Sequence, residues 1–222
     1  MNNTGEILEL GDGYYSISDI SDILQVERYK ISYLVRSYWN DKLSKKRKFK
    51  YLFDTERTLA VNFLALLEIN IFYILKENGI NYRKALEAHN FFATKFNTNY
   101  PFAHQSFYIS GSDILFQENG CFIKANESNQ IAIKQMILPF SKKIEYNKEN
   151  MAVAFYPLGM EKDIVVNPKH QFGEPIIRDT NILASTIAQM FEAGDSEELI
   201  SNLYQIDQSS IKDAVAFHKK VA

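Results

Sequence analysis

The stretch that decides the fold of the C-terminal part of this 222-residue chain runs from Ile164 to Leu199. It reads IVVNP at 164–168, FGEPIIRDT at 172–180 and FEAGDSEEL at 191–199. Two short β-branched runs flank a turn rich in proline and glycine, and helical periods interrupted by Gly194 follow. This order predicts a small hairpin that leads into a three-helix unit. No residue in the stretch suggests catalysis, so we interpret it as a recognition module.

The boundaries of its three helices follow from the same signals. We expect helices at about Ala184–Ala193, Ser196–Leu203 and Ser209–Lys220. Gly194 ends the first helix and Asp195 is the expected N-cap of the second. The predicted arrangement is similar to a helix-turn-helix.

The charge of the chain is divided between two regions. Between Arg28 and Lys50 there are nine basic residues and a single acid, Asp41, a net charge of +8. From Asp163 to Ala222 nine acids stand against five bases, a net charge of −4. Opposite charges of this size predict different partners for the two regions.

The basic region begins with two predicted helices. Ser18 is the expected N-cap of the first, and a short break at Gln25-Val26 separates it from a second helix over Glu27–Trp39. Ile31, Leu34, Val35 and Tyr38 form the inner stripe of the second helix, and its outer face is basic and aromatic. This pattern is typical of a DNA-binding helix-turn-helix whose second helix enters the major groove.

The run Lys45-Lys46-Arg47-Lys48-Phe49-Lys50 and the residues Tyr51-Leu52-Phe53 follow at the place where a β-wing would lie. A solvated loop is the ordinary interpretation of such a run, but next to the helix pair we expect phosphate contacts. The predicted DNA-binding residues are Arg28, Tyr29, Lys30, Ser32, Tyr33, Arg36, Lys45, Lys46, Arg47 and Lys48.

The rest of the chain predicts two long helices and a meander. Helical periods run over Leu59–Glu77 and Tyr82–Phe96, with His89 facing inward, and they indicate either core packing or a dimer seam. Turn residues between β-prone runs predict strands from Phe107 to Ile123, and Ile131–Ile144 fits helix or strand.

We therefore expect a mainly α fold with small β elements (α+β). Its predicted parts are a flexible arm (1–13), a winged helix-turn-helix with long helices (14–100), a β-rich connector (101–160) and an acidic three-helix module (161–222).

Several classes of function find no support in the sequence. The four histidines are far apart, no loop has the pattern of a phosphate cradle, and the only cysteine is Cys121. No apolar run is long enough to span a bilayer, and no secretory signal is visible. We expect a cytoplasmic protein that is not an enzyme and needs neither metal nor cofactor.

The C-terminal stretch resembles the domain-of-unknown-function family 433. The resemblance rests on Val166-Asn167-Pro168, on Gly173-Glu174-Pro175-Ile176-Ile177 and on Gly194-Asp195-Ser196-Glu197-Glu198-Leu199. Asp179-Thr180-Asn181-Ile182 replaces the Gly-Thr-Arg-Ile-like turn of the family.

The whole chain is similar to a VapB-type antitoxin of a type II toxin–antitoxin pair. Tyr15–Ile20, Phe63–Glu68, Tyr100–Ala103 and Phe155–Leu158 carry this resemblance, and Arg36-Ser37-Tyr38-Trp39 resembles the end of a MerR-type recognition helix. It implies an antitoxin that neutralises a magnesium-dependent PIN-like ribonuclease toxin and represses its own operon by binding double-stranded DNA. We also expect a homodimer, because one helix-turn-helix covers only a half-site. The alternatives are a stand-alone MerR-like regulator with a small-molecule effector, and an enzyme or an adaptor.

Overall fold

The computed structural model describes residues 13–55, 58–104, 107–110, 113–118, 121–124, 138–139 and 143–219. The predicted arm lies outside these ranges except for Gly13, and so does most of the ambiguous segment Ile131–Ile144. Helices and short antiparallel strands make up the described part, so the α+β prediction is confirmed. None of the helices in these ranges combines the length and the apolar character that crossing a membrane requires.

The N-terminal unit begins with strand β1 (Tyr15–Ser16) and helix α1 (Ile17–Leu24). The expected N-cap, Ser18, is wrong, because Ser16 caps the helix. The Ser16 hydroxyl accepts from the Asp19 N–H at 3.3 Å, and the Asp19 carboxylate accepts from the Ser16 N–H at 2.8 Å. This reciprocal capping box needs a carboxylate three residues after the cap, and Ser18 has Ser21 at that position.

The second helix is longer than predicted. Helix α2 (Arg28–Leu34) continues through a π-helical segment (Val35–Leu43) into α3 (Ser44–Arg47). Ile31, Leu34 and Val35 of its inner stripe are buried, and Tyr38 is half-buried. Trp39 lies fully inside the core with its ring 4.5 Å from that of Phe72.

A hairpin of β2 (Phe53–Thr55) and β3 (Thr58–Val61) completes this unit, and β3 pairs with β1 in a sheet of order β1-β3-β2. The sequence predicts the wing over the lysine run and Tyr51-Leu52-Phe53, but it begins only at Phe53, the last of these residues. The lysine run is not part of the wing, because Lys45, Lys46 and Arg47 belong to α3. The helix expected from Leu59 begins only at Phe63, because Asn62 accepts from the Ala65 N–H at 2.9 Å and caps it. Leu59 fits a helical and a strand period equally well.

Helices α4 (Phe63–Glu77), α5 (Tyr82–Lys95) and α6 (Pro101–His104) form the centre of the larger core. Of the two alternatives for α4, core packing is the one observed. The buried Glu68 carboxylate accepts from the N–H groups of Phe102 and Ala103 at 2.8 and 3.1 Å. Its other oxygen lies 3.1 Å from Nε2 of the buried His89, so one polar cluster joins all three helices.

The predicted meander is present as β4 (Phe107–Ser110), β5 (Asp113–Glu118) and β6 (Cys121–Lys124). These strands form a sheet of order β6-β5-β4-β7, in which β7 is Leu138–Pro139. Phe116 of β5 packs edge-on against Phe92 of α5, with ring centroids 5.0 Å apart. A further pair, β8 (Ile144–Tyr146) and β9 (Ala152–Phe155), leads towards the C-terminal part.

The C-terminal part has its own core. Strands β10 (Ile164–Val165) and β11 (Ile176–Ile177) form the predicted hairpin, with a 3-10 turn at Gln171–Gly173. Helices α7 (Ala184–Glu192), α8 (Glu197–Tyr204) and α9 (Gln208–Lys219) confirm the three predicted helices. The expected cap of α8, Asp195, is wrong, because the Ser196 hydroxyl accepts from the Leu199 N–H at 3.2 Å.

One close approach joins the two ends of the chain. The buried Tyr15 hydroxyl of β1 donates to the Gly173 carbonyl at 3.1 Å. Gly173 has φ +87°, and a Cβ there would lie 2.0 Å from the Tyr15 oxygen. Only glycine fits, so the 3-10 turn is held against the N-terminal sheet.

Candidate nucleic-acid interface

The turn between α1 and α2 is built by two polar side chains. Gln25 takes the left-handed conformation (φ 58°, ψ 41°) in place of the glycine common in such turns, and its Nε2 donates to the Asp22 carbonyl at 2.7 Å. The buried Ser21 hydroxyl donates to the Val26 carbonyl at 2.6 Å. These bonds fix the angle at which α2 leaves α1.

The outer face of α2 and of the first turn of the π-helical segment presents aromatic and basic side chains. Tyr29 and Tyr33 are 68% and 56% exposed, which is unusual for rings of this size, and Arg28 and Arg36 are exposed beside them. Tyrosine and arginine contact phosphates and base edges in protein–DNA complexes. The structure therefore brings four of the predicted DNA-binding residues together on one surface.

Lys30 and Ser32 lie at the border of this face. The Lys30 ammonium pairs with the Glu27 carboxylate at 2.7 Å, and its side chain is only 29% exposed. Ser32 is half-buried. Lys30 can contact a phosphate only if its side chain leaves the ion pair with Glu27.

The second predicted basic group lies at the far end of the same helical stretch. Lys45 follows Arg28 by 17 positions, roughly 25 Å along a helix. Lys45, Lys46 and Lys48 are exposed. Arg47 is half-buried, and its Nη2 donates to the Thr98 carbonyl at 3.5 Å and to the Asn99 side chain at 3.4 Å. Arg47 thus anchors the helix end to the loop after α5.

A second helix-turn-helix with the same local structure occurs at α8–α9. Gln205 is left-handed (φ 55°, ψ 44°), and its Nε2 donates to the Asn202 carbonyl at 2.6 Å. The Ser201 hydroxyl donates to the Ile206 carbonyl at 2.6 Å. Every bond of the α1–α2 turn described above therefore has a counterpart here.

The two turns also correspond in sequence, at a constant separation of 180 positions. The identical pairs are Ser16 and Ser196, Ile20 and Ile200, Ser21 and Ser201, Gln25 and Gln205, Ile31 and Ile211, and Val35 and Val215. Sequence reasoning noted two helix-turn-helix-like units but missed this repeat. An alignment of the chain with itself would have shown it.

The outer surface of the second unit differs in chemistry. Gln208, Ser209, Lys212 and Ala216 take the positions of Arg28, Tyr29, Ser32 and Arg36. Glu197 and Glu198 occupy the first turn of α8, where the helix dipole favours negative charge. This surface lacks the aromatic and arginine side chains of α2.

The two units meet at a small cavity of about 100 Å³. Asp19, Asp22 and Ile23 of α1 line it together with Glu174 and His218. Burial raises the pKa of Glu174, and the charges of Asp19 and Asp22 raise it further. Burial also raises the pKa of Asp22 and lowers that of His218. Within the ranges that the structure describes, no three histidine, cysteine, aspartate or glutamate side chains are grouped to hold a metal ion.

A family model matches the C-terminal part of the chain. Residues 164–218 match the family described as "Protein of unknown function (DUF433)". The predicted resemblance of the C-terminal stretch is thereby confirmed, and α8–α9 lie inside the DUF433 region. A search of the curated proteins found no match.

One solved structure is similar over nearly the whole chain. It is the X-ray crystal structure of Rv2018 from Mycobacterium tuberculosis, with a TM-score of 0.63 and 12% sequence identity. The similarity covers 90% of this chain and 96% of that one. At this identity the likeness shows a common fold, so the resemblances to VapB-type antitoxins and MerR-type regulators stay predictions.

Proposed function

We propose that this chain is a DNA-binding antitoxin that recognises its own operator through α2 and the hairpin β2–β3. The observation that carries the DNA-binding part is the exposed face of Arg28, Tyr29, Tyr33 and Arg36 on a helix held by the α1–α2 turn. The sheet order β1-β3-β2 sets the hairpin beside this helix pair, as in a winged helix.

Charge favours the first helix pair over the second as the DNA reader. Phosphates attract the +8 segment Arg28–Lys50 and repel the −4 segment Asp163–Ala222 at short range. The folds of the two turns are alike, so electrostatics and the exposed tyrosines distinguish them. We assign protein contacts to the acidic C-terminal unit.

The antitoxin part of the proposal rests on the resemblance given above. It implies a chain that neutralises a PIN-like ribonuclease toxin. We further propose that the chain acts in the cytoplasm as a homodimer, since one helix-turn-helix reads only one half-site. The toxin would need magnesium for its own reaction. The antitoxin would act by binding, without a cofactor and without enzymatic activity.

DNA binding is tested by fluorescence anisotropy on the DNA upstream of the chain's own reading frame, over a series of salt concentrations. Arg36→Ala should weaken binding by about 1–3 kcal/mol, which is roughly 5- to 150-fold. Lys212→Ala, a basic residue on the outer face of α9, is the matched control and should leave the affinity unchanged. If the wild-type chain bound no DNA even at low salt, the DNA-binding part would be wrong.

The toxin part is tested separately by co-purification from the native host. A nuclease-like protein should be captured by the wild-type chain and should lose its ribonuclease activity in the complex. Arg36→Ala should capture it equally well, since the DNA-reading face is not assigned to the toxin. Capture of no nuclease-like protein would contradict the antitoxin proposal and leave DNA binding standing.

A further inference from the structure

A groove of about 800 Å³ lies between the long helical stretch and α5. It borders the DNA-reading face, because the rings of Tyr33 and Tyr38 are 6.0 Å apart. We call it the basic groove and define it by Tyr38, Lys42, Lys46, Lys76, Tyr82 and Arg83. Its floor is apolar, with the rings of Tyr38 and Tyr82 only 4.2 Å apart. Lys42 lies over Tyr38 at 4.4 Å and Lys76 over Tyr82 at 5.5 Å.

The charge of the groove is strongly positive. Four cations line it against one acid, Glu87, and that acid pairs with Arg83 at 3.0 Å. Apolar surface framed by cations is suited to an acidic amphipathic helix, which would bury its apolar residues on the rings and place its carboxylates near the lysines.

The chain itself carries such a helix. Leu199 and Leu203 of α8 are 51% and 62% exposed and lie one helical turn apart. Glu198 is exposed next to Leu199 in the sequence, and Asp195 precedes the Ser196 cap of the helix. We call these four residues the α8 stripe. Together the two leucines form a small exposed apolar patch, the kind of surface that a protein partner can cover.

The internal repeat shows what the α8 stripe lacks. Leu203 takes the position of Ile23 in α1. Ile23 is 3% exposed and lines, with Pro175 and Phe217, the cavity of about 100 Å³ described above. Gln25, at the end of the same helix, donates to the Phe217 carbonyl at 3.2 Å. The C-terminal part thus covers this face of α1, whereas the matching face of α8 is left open.

We infer that the α8 stripe of one copy docks into the basic groove of a second copy, and that the two copies exchange this contact reciprocally. Each chain offers one stripe and one groove of opposite charge, so a pair can close on itself with two identical contacts. The dimer that the proposed function requires would be built this way, but the contact itself involves neither DNA nor toxin.

The test is sedimentation velocity of the full chain over a dilution series. Lys42→Glu with Lys76→Glu in the groove, and Leu203→Lys in the stripe, should each raise the dimer dissociation constant about 10-fold or more. All three side chains are exposed, so unchanged circular dichroism is expected. Lys148→Glu, in an exposed turn and outside the groove lining, makes the same change at a single lysine and should dimerise normally.

A mixing experiment tests whether the stripe of one copy contacts the groove of the other. The groove variant keeps an intact stripe and the stripe variant keeps an intact groove, so an equimolar mixture should associate where neither variant does alone. A monomeric wild-type chain, or a dimer that neither variant weakens, would overturn the inference even if the chain bound DNA. Loss of DNA binding by the groove variant without loss of dimerisation would instead identify the groove as a nucleic-acid surface and also overturn it.

Discussion

The helix pairs α1–α2 and α8–α9 share one turn and differ in almost everything that surrounds it. Both turns use a left-handed glutamine and a serine that bonds to the carbonyl five residues later. One pair presents tyrosines and arginines to solvent, and the other presents acids and leucines. The same turn can therefore fix the angle between two helices in both pairs, while the few exposed side chains decide which kind of partner each pair can bind.

The largest expected effect concerns a core position that the two helix pairs share. Ile31 and Ile211 correspond, and both are fully buried. Changing either one to alanine should lower the free energy of unfolding by about 2–5 kcal/mol, because each leaves a cavity under the second helix of its pair. Urea unfolding followed by circular dichroism measures the loss. A variant with wild-type stability would show that its pair is not supported by the common core position.

The two serines give a smaller and more discriminating effect. Ser201→Ala should cost about 1 kcal/mol, the net value of one hydrogen bond, because Ser201 is half-buried. Ser21 is 6% exposed, so Ser21→Ala leaves the Val26 carbonyl without this partner in a buried turn and should cost about 1–3 kcal/mol. The same unfolding measurement gives both values. Equal losses, or a larger loss for Ser201, would contradict the idea that the first turn is the more enclosed one.

The smallest expected effect is a pH-dependent change in stability that comes from Glu174, in the cavity between α1 and the C-terminal part. Because burial raises the pKa of Glu174, the folded state favours its protonated form. The stabilisation from this group is fully present below its ordinary pKa and is lost as pH rises through the raised value. Glu174→Gln should therefore raise the melting temperature slightly near neutral pH and leave it unchanged near pH 4.

His218 acts in the opposite direction at the same junction. Burial lowers its pKa, so its contribution is present above the ordinary histidine value and is lost as pH falls through the lowered one. His218 is present in both the wild-type chain and the Glu174→Gln variant, so its contribution to stability cancels when their melting temperatures are compared.

The control for the change in net charge is Glu149→Gln, which alters an exposed carboxylate in a turn. A shift of the same size for both variants would show that the junction does not tune Glu174.

Sequence reasoning succeeded where one period dominated. The inner stripe of α2 and the three C-terminal helices follow from apolar spacing. It failed where two neighbouring residues compete, as at Ser16 and Ser18 or at Asp195 and Ser196. Hydrogen-bond geometry decides such cases, and residue preferences alone do not rank them.

The sequence predicted which residue types form the candidate site, but only some of the named residues lie together in the structure. Tyr29, Tyr33 and Arg36 lie on the outer face as expected. Arg47 does not join them, because its partners, Thr98 and Asn99, are more than fifty positions away in the sequence. Lys30 was counted as a phosphate ligand, although Glu27, three residues earlier, pairs with it in the described structure.

The sequence by itself determined the helical periods, the turn chemistry at Gln25 and Gln205, and the opposite charges of the two regions, because these depend on residues close together in the chain. The tertiary structure alone decided which faces remain exposed. Tyr15 reaches Gly173 and Gln25 reaches Phe217 across more than 150 positions, and these contacts cover α1 while the equivalent face of α8 stays open. Burial is a property of the packed molecule, so no local pattern can assign it.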